Sequence, residues 1–545
     1  MTDAAPTTAS PPASTTPRFD LLVIGAGASG AAIAFEAARR GLAVALVEGR
    51  DIASGTSSRS TKLLHGGVRY LELAFRRFDR RQLQLVREAL VERGHWLEAA
   101  PFLARRLELL LPTRQPVAKL YYGAGLALYD ALAGRSGIGA SRCVPAAEVE
   151  RLLPELAPGH GGVAYSDGQF DDARLNLLLV RTAADLGVRV WTHTPVVELL
   201  RDGAGRLSGA VLQRPDGGTE RLQAAVVVNA TGIGADAVRR LADPDAAPRL
   251  QVSRGVHLVL AADLCPDGTG LLVPSTDDGR VLFVLPFQGR TLVGTTDTAC
   301  PGEAAETPSA AEEAYLLEYV RRWFPAHGEP AVASRWAGGR PLLLPQAGEA
   351  GGTAGIVREH AVETLPCGLV SLMGGKWTTC RPMALDALAA VAEQLGRPLP
   401  EPPGATPLLG AAADGPTTRR RLAALEQRLR QHHDPALVAH LLASHGLAAE
   451  AVLACAAGPA ELDPLSAVIP LTAAEVRHAA RHEWARAPDD VLERRCRLGF
   501  VDRAEADRLR GPVQALVQEE LERLGASCSP PASSGSSRTS HQKNP

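Results

Sequence analysis

The apolar positions of this chain fall into three successive patterns. From Phe19 a short apolar run, FDLLVIG, ends at glycine, and LAVALVE repeats the pattern from Leu42 to Glu48. Between them Ala28 to Arg40 is a small-residue helical stretch. Short apolar runs bounded by glycine read as buried strands, and strand–helix–strand over about 30 residues opens a parallel sheet. From Phe75 to about Tyr129 apolar and basic residues mix in a mainly helical pattern. Strand signals then return in GVRVWTHTPVVELLRD, GRLSGAVLQR and AAVVVNATG, and between Val252 and Thr296 in GVHLVLA, GRVLFVLPF and RTLVGTTD. GLVSLMGG is one more strand, with a helix after it from about Thr378 to Leu395. A Pro- and Gly-rich stretch from Gly396 reads as a linker, and the signal beyond it is helical to about Gly525. The expected organisation is a polar tail 1–17, a mixed α/β core 18–395, a linker 396–416, a helical domain 417–525 and a second polar tail 526–545.

Composition narrows the class. The chain has 545 residues, 46% hydrophobic residues and a formal net charge of −2. That is enough for two or three globular domains, and it argues against a nucleic-acid binder working by bulk positive charge. The cysteines Cys143, Cys265, Cys300, Cys367, Cys380, Cys455, Cys496 and Cys528 form no C-x-x-C pair and no zinc-ligand spacing, so reduced thiols and no metal are expected. The start, MTDAAPTTASPPASTTP, lacks the basic and apolar regions of a secretory signal, and no stretch approaches the ~20 uninterrupted apolar residues of a membrane span. A cytoplasmic protein is expected. Only four of the 58 basic residues are lysine: Lys62, Lys119, Lys376 and Lys543. A coding bias toward arginine would leave lysine mainly where arginine cannot serve.

The first chemical motif is G-A-G-A-S-G at Gly25, Gly27 and Gly30, between a strand and a helix. The first glycine permits the turn, the second lets backbone approach a pyrophosphate, and the third lets helix and strand pack closely. The helix N-terminus offers free N–H groups to phosphate. Glu48 follows Gly30 by 18 residues at the end of the second strand, where a carboxylate accepts hydrogen bonds from a ribose. AAVVVNATG, with Ala230, Thr231 and Gly232, resembles the second FAD contact of flavoproteins, and no second G-x-G-x-x-G supplies an NAD domain. FAD is therefore favoured over NAD.

Further stretches carry a family resemblance. SGTSSRSTKLLHGGVRYLE (Ser54–Glu72), FDDARL (Phe170–Leu175), VLFVLPF with TLVGTTD (Val281–Asp297), GGRPL (Gly338–Leu342), GGKWTT (Gly374–Thr379) and RHEWARAPDDVLERRCRLGF (Arg481–Phe500) resemble, in order, the motifs of FAD-dependent glycerol-3-phosphate dehydrogenases. The resemblance covers roughly 19–524. It departs at Cys380, where the family usually has tyrosine, at Ile233 and Gly234, where it has Pro-Trp, and at Ala31 and Ala32. The resemblance implies an α/β fold: a Rossmann-like FAD-binding domain interleaved with an antiparallel substrate-binding sheet, of glycine/D-amino-acid oxidase-like architecture, plus a C-terminal helical domain. It also implies hydride transfer from C2 of sn-glycerol 3-phosphate to FAD, giving dihydroxyacetone phosphate.

That chemistry needs cations for a phosphate, a base near the 2-hydroxyl and donors near the reduced flavin. Arg69, Arg340 and Arg358 are the phosphate candidates, since guanidinium binds phosphate oxygens in bidentate fashion, with Tyr70 adding a hydroxyl. His65 and His257 compete for the base, and His257 also for substrate contact. Gly374, Gly375, Lys376 and Thr378 form a turn into a helix that would face the flavin, where a lysine is not interchangeable with arginine. Asp297 is a candidate partner for these cations. Thr56, Ser57, Ser58, Lys62 and Val197 complete the expected cofactor contacts.

Family members that feed a quinone sit on a membrane surface. Arg76, Arg77, Arg80, Arg81, Arg105 and Arg106, followed by LYYGAGLALYDAL (Leu120–Leu132), could dock on anionic lipid. The expected partners are glycerol 3-phosphate, a quinone acceptor, a peripheral membrane contact and a second copy in a homodimer, with no nucleic acid. Three other readings stay open here: an oxidase using oxygen, an amine or amino-acid oxidase, and a non-catalytic flavin-bound sensor.

Overall fold

The computed structural model describes residues 18–67, 80–344 and 360–527. Two sheets share its core. The first has eight strands, with a spine in the order His360–Thr364, Leu369–Gly374, Thr219–Asn229, Arg18–Ile24, Val44–Val47, Arg189–Trp191. Arg18–Ile24 lies parallel to both Thr219–Asn229 and Val44–Val47, and Leu369–Gly374 joins parallel to Thr219–Asn229. Strands buried on both faces read as continuous apolar runs, which is how these strands read in the sequence. One face packs on the helices Ala28–Arg39, Asp172–Asp185 and Cys380–Leu395. The other face is covered by the antiparallel strands Val196–Arg201 and Leu207–Gln213.

The second sheet has ten strands and is largely antiparallel. Its long pairings are Leu250–Leu260 with Val332–Leu343 and Ala104–Thr113 with Gly161–Phe170. First-sheet strands come from 18–47, 189–229 and 360–374, and second-sheet strands from the stretches between. This is the interleaved α/β architecture expected from the sequence. One element differs. Ala104–Thr113, expected within a helical stretch, is a strand between the helices Arg80–Ala99 and Pro116–Ala133. Leucine and arginine favour helix intrinsically, but Leu107, Leu109, Leu110 and Leu111 gain more by burial inside the second sheet.

Helices dominate after Gly415, among them Gly415–Leu429, Pro435–His445, Ala473–His482 and Arg503–Ser527. The Pro- and Gly-rich connection before them is packed rather than loose. Arg39 donates to Thr406 and to the Gly404 carbonyl, the Leu409 amide donates to Thr182, and Leu408 is buried in the core. Pro435–Leu453 is apolar and long enough, by length and composition, to cross a membrane. It turns at Gly446 (φ +58°) and buries Leu437, Val438, Leu441 and Leu442 among its neighbouring helices, so it is read as core.

Charge, as well as apolar surface, docks the helical domain on the core. Asp51, just beyond the strand Val44–Val47, accepts from Arg494 Nε at 2.5 Å and from Arg495 Nη2 at 2.8 Å. Both guanidinia stand on a widened π-helical turn, Asp490–Arg495. Arg174 pairs both oxygens of Glu483, at 3.0 and 2.9 Å. All these groups are buried, so removing one partner strands a charge out of water. Asp51→Ala is expected to cost about 3–5 kcal/mol in urea unfolding. The exposed-pair control Arg214→Ala should leave the urea midpoint unchanged. A midpoint for Asp51→Ala equal to wild type would refute the role of this anchor.

Candidate active site

The turn between Arg18–Ile24 and Ala28–Arg39 has the geometry of an anion cradle. Gly25 has φ +102°, a conformation few other residues tolerate. A Cβ on Gly30 would fall on the Gly25 carbonyl oxygen, and one on Gly27 would lie 2.9 Å from Ser57 Oγ. Backbone can therefore approach a ligand here because both positions lack side chains. Ser57 Oγ accepts from the Ala28 amide at 2.9 Å. Glu48, at the end of Val44–Val47, accepts from the Ala26 amide at 2.8 Å and the Arg50 amide at 2.9 Å. Burial raises its pKa against the pull of those two N–H groups. Each carboxylate oxygen retains a lone pair for a ribose hydroxyl.

The neighbouring parallel strands end at the same rim. Thr219–Asn229 leads into Ala230, Thr231 and Gly232, where Asn229 Oδ1 accepts from the Thr231 hydroxyl at 2.7 Å. Leu369–Gly374 leads into Gly374 and Gly375 (φ +77° and +75°), then Lys376, which caps the turn Trp377–Thr379. Thr378 is buried, and its carbonyl accepts from Trp96 Nε1 at 3.2 Å. Ligands of open α/β sheets bind at the carboxyl ends of the strands, which is where these groups gather. Val197 is 46% exposed, at a bulge where the pairing skips from Val196 to Glu198.

The segment from Thr56 to Lys62 joins this rim to the second sheet. The Thr56 hydroxyl donates to the Gly339 carbonyl. Ser58 is turned inward, its carbonyl accepting from Lys62 Nζ at 2.6 Å and Arg497 Nη2 at 2.8 Å. Lys62 does not fit the cofactor role expected of it. Its ammonium also donates to Asp172 Oδ2 at 2.8 Å and lies 5.2 Å from the Trp336 ring and 5.4 Å from the Phe500 ring. Burial, then Arg497, lowers its pKa to about 7 although Asp172 opposes. The sequence placed the charge at the flavin; the fold directs it into the protein.

His257 and Arg340 stand on adjacent strands, where Ser253 pairs with Arg340 and His257 with Trp336. Arg340 donates to the Thr296 carbonyl at 3.1 Å and Thr295 Oγ1 at 3.0 Å, and lies 3.6 Å from Asp297. A Cβ on Gly255 would fall on that guanidinium. His257 is 2% exposed, stacks on Trp336 at 5.3 Å, and shares a 3.0 Å hydrogen bond with Thr61 Oγ1. Burial, with Lys62 and Arg340 adding, holds its imidazole well below the ordinary histidine range. Arg69, Tyr70 and Arg358 lie outside the described residues.

His65 leads into a network that sequence reasoning missed. The Gly66 amide donates to the Tyr129 hydroxyl at 2.7 Å, and that hydroxyl donates to Asp167 at 2.8 Å. Arg93 donates to the same carboxylate at 2.8 Å. Burial pushes Asp167 up to about 6 against the opposing pull of Arg93, Tyr129 and Lys376. The structure thus sets the backbone just after His65, and the charge of Lys376, within reach of one buried acid. Asp172 was likewise missed as a site organiser, although it lies in the FDDARL stretch.

These groups suit a dinucleotide whose reactive end faces a small anionic substrate. The comparisons agree. A family model described as FAD dependent oxidoreductase matches residues 20–381. One described as the C-terminal domain of alpha-glycerophosphate oxidase matches residues 404–526. A mitochondrial glycerol-3-phosphate dehydrogenase of Arabidopsis thaliana is 39% identical over 523 residues, spanning 92% of this chain and 83% of that protein. The mitochondrial glycerol-3-phosphate dehydrogenase of Homo sapiens is 37% identical over 527 residues, spanning 93% and 71%. A solved glycerol-3-phosphate dehydrogenase from Bacillus halodurans, complexed with FAD, superposes with a TM-score of 0.72 at 27% identity, covering 92% of this chain and 91% of that one.

Gly30→Ala tests the cradle. The added methyl must displace the Gly25 carbonyl, so dinucleotide affinity should fall at least about tenfold with far-UV circular dichroism unchanged. The ratio of flavin to protein absorbance after purification reads this directly, and full flavin content in the variant would contradict it.

Proposed function

The chain belongs to the FAD-dependent glycerol-3-phosphate dehydrogenase family, and we propose that it passes the electrons it takes from its substrate to a quinone while resting on the cytoplasmic face of a membrane. Its reaction is the oxidation of sn-glycerol 3-phosphate to dihydroxyacetone phosphate. FAD, when bound, supplies the acceptor for the hydride leaving C2. Gly25, Gly27, Gly30, Glu48, Ser57, Ala230, Thr231, Gly232, Gly374 and Gly375 are the residues that would hold it.

The remaining steps belong to side chains. In our reading Arg340 holds an oxygen of the substrate, and its hydrogen bonds to Thr295 and Thr296 fix the guanidinium plane. Oxidising the alcohol releases the 2-hydroxyl proton. His257 takes that proton, because burial beside two cations keeps its imidazole neutral and able to accept. Lys376 balances negative charge at the turn where Gly374 and Gly375 end their strand. The observation that carries this assignment is the placement of His257 and Arg340 on adjacent strands, joined through Thr61 to the loop that supports the cradle.

The membrane reading rests on the helix Pro116–Ala133. Leu126, Tyr129 and Ala133 are buried, yet Val117, Leu120 and Tyr121 are 78%, 73% and 54% exposed. Spaced i, i+3 and i+4, these three share one helix face, and an exposed apolar face of this kind suits a lipid surface. Arg76 and Arg77 lie outside the described residues, and the side chains of Arg80 and Arg81 are not described. The seven described cysteines are free thiols, the state a reducing compartment maintains.

Anaerobic glycerol 3-phosphate should bleach the flavin band, and His257→Asn should slow that bleaching by about 10²–10⁴-fold with flavin content unchanged. His257 is protonated only well below pH 6.5, so the rate should not fall through the ordinary histidine range on its account. A wild-type inflection near pH 6.5 that vanishes in His257→Asn would contradict this. At low salt the protein should co-sediment with anionic liposomes, Leu120→Asp should reduce that, and in air quinone reduction should exceed peroxide formation. No liposome binding at low salt would remove the membrane reading, and peroxide in equal measure would remove the quinone.

A further inference from the structure

Where the helical domain meets the core, a cleft of about 380 Å³ opens between the end of the Asp172–Asp185 helix and the helices Ala473–His482 and Arg503–Ser527. Three guanidinia, Arg181, Arg481 and Arg486, line it against one carboxylate, Asp185. His482 and Trp484 form the rest of its polar and aromatic wall, and Leu521 adds an apolar side. None of these residues belongs to the cradle or to the His257–Arg340 pair.

The cations differ in how far the protein uses them. Arg481 is held by Glu520. The Arg181 side chain makes no hydrogen bond among the described residues. Its Nη1 stands 3.8 Å from Glu483, and both oxygens of that acid are already taken by Arg174. Burial lowers the Arg181 pKa against the opposing pull of Glu483 and Asp185. Arg486 is exposed and has no side-chain partner among the described residues. Trp484 has φ +56°, a left-handed conformation that a bulky residue seldom adopts, and it packs partly against the core. Such outliers persist where surrounding structure holds them, and they gather at binding sites. The cleft therefore combines the exposed Arg486 guanidinium and the long-range-paired Arg181 with a fixed indole.

We propose that this cleft is a second ligand site, for a small organic anion. Its phosphate or carboxylate is taken by Arg181 and Arg486, and its apolar body lies against Trp484 and Leu521. Guanidinium groups recognise such oxyanions through paired hydrogen bonds, and a flat apolar ligand gains from the indole face. The helix that supplies Arg181 begins at Asp172, so an occupant here would touch the element that also organises the loop beneath the cradle.

Phenyl phosphate is a suitable probe, titrated by calorimetry into the FAD-loaded protein at fixed ionic strength, because salt screens such contacts. Saturable binding is expected, weakened by about tenfold in Arg486→Ser and in Arg181→Gln, with Arg486→Lys closer to wild type. The KM for glycerol 3-phosphate and the flavin content should be unchanged in Arg486→Ser, an exposed position. Absence of binding heat would overturn the proposal. So would binding unaltered in both variants, which would place the probe in the substrate site instead.

Discussion

A carboxylate with no solvent contact organises this protein. Asp172 is 0% exposed. Its Oδ2 accepts from the Ser60 amide at 3.1 Å, the Ser60 hydroxyl at 2.7 Å and the Lys62 ammonium at 2.8 Å. Its Oδ1 accepts from the Ala173 amide at 2.9 Å and from Arg497 at 3.2 Å. One side chain thus joins the loop that supports the cradle, the helix Asp172–Asp185 and the helical domain. Lys62 and Arg497 both carry positive φ, +63° and +69°. Non-glycine residues held there cost about 1–3 kcal/mol each and persist only when neighbouring contacts over-determine them. Asp172 provides those contacts for both.

The rest of the site inherits its order from this point. Thr61 follows the Ser60 contact and hydrogen-bonds His257, so the imidazole is positioned from the loop side as well as by its own strand. Lys62 contributes to the fields that keep His257 neutral. Arg497 lies 4.4 Å from the Phe500 ring, which itself packs on Trp336 beneath His257. The C-terminal helices are therefore part of the wall behind the reactive groups, which explains how their stretch from Arg481 to Phe500 can share a family's motifs with the core.

Much of this was legible because it is local. The glycine spacing of Gly25, Gly27 and Gly30, the apolar strand runs and Glu48 all announce themselves within 30 residues, and His257 and Arg340 lie in recognisable stretches. What stayed hidden is long-range. Nothing near Asp167 in sequence shows that Arg93 and Tyr129 will converge on it, and nothing near Asp51 points to Arg494 and Arg495. Ala104–Thr113 was hidden because a leucine-rich segment changes preference only once a sheet exists to receive it. The scarcity of lysine drew attention to Lys62 as a flavin contact, whereas the fold buries it inside the protein. A compact ammonium fits the closed space between Ser58, Asp172, Trp336 and Phe500, whereas a planar guanidinium is broader.

The interleaving of the two sheets also sets a timetable for biosynthesis. The opening strand, Arg18–Ile24, has Thr219–Asn229 as one of its two parallel neighbours, and that segment emerges from the ribosome some 200 residues later. At about 5–20 residues per second the delay is roughly 10–40 s. The sheet gains Leu369–Gly374 later still, and the acceptor Asp51 waits for Arg494 and Arg495, which follow it by 443 and 444 residues. Throughout that interval apolar strands such as FDLLVIG stand without their partners, so a nascent chain of this architecture depends on protection from other unfinished chains.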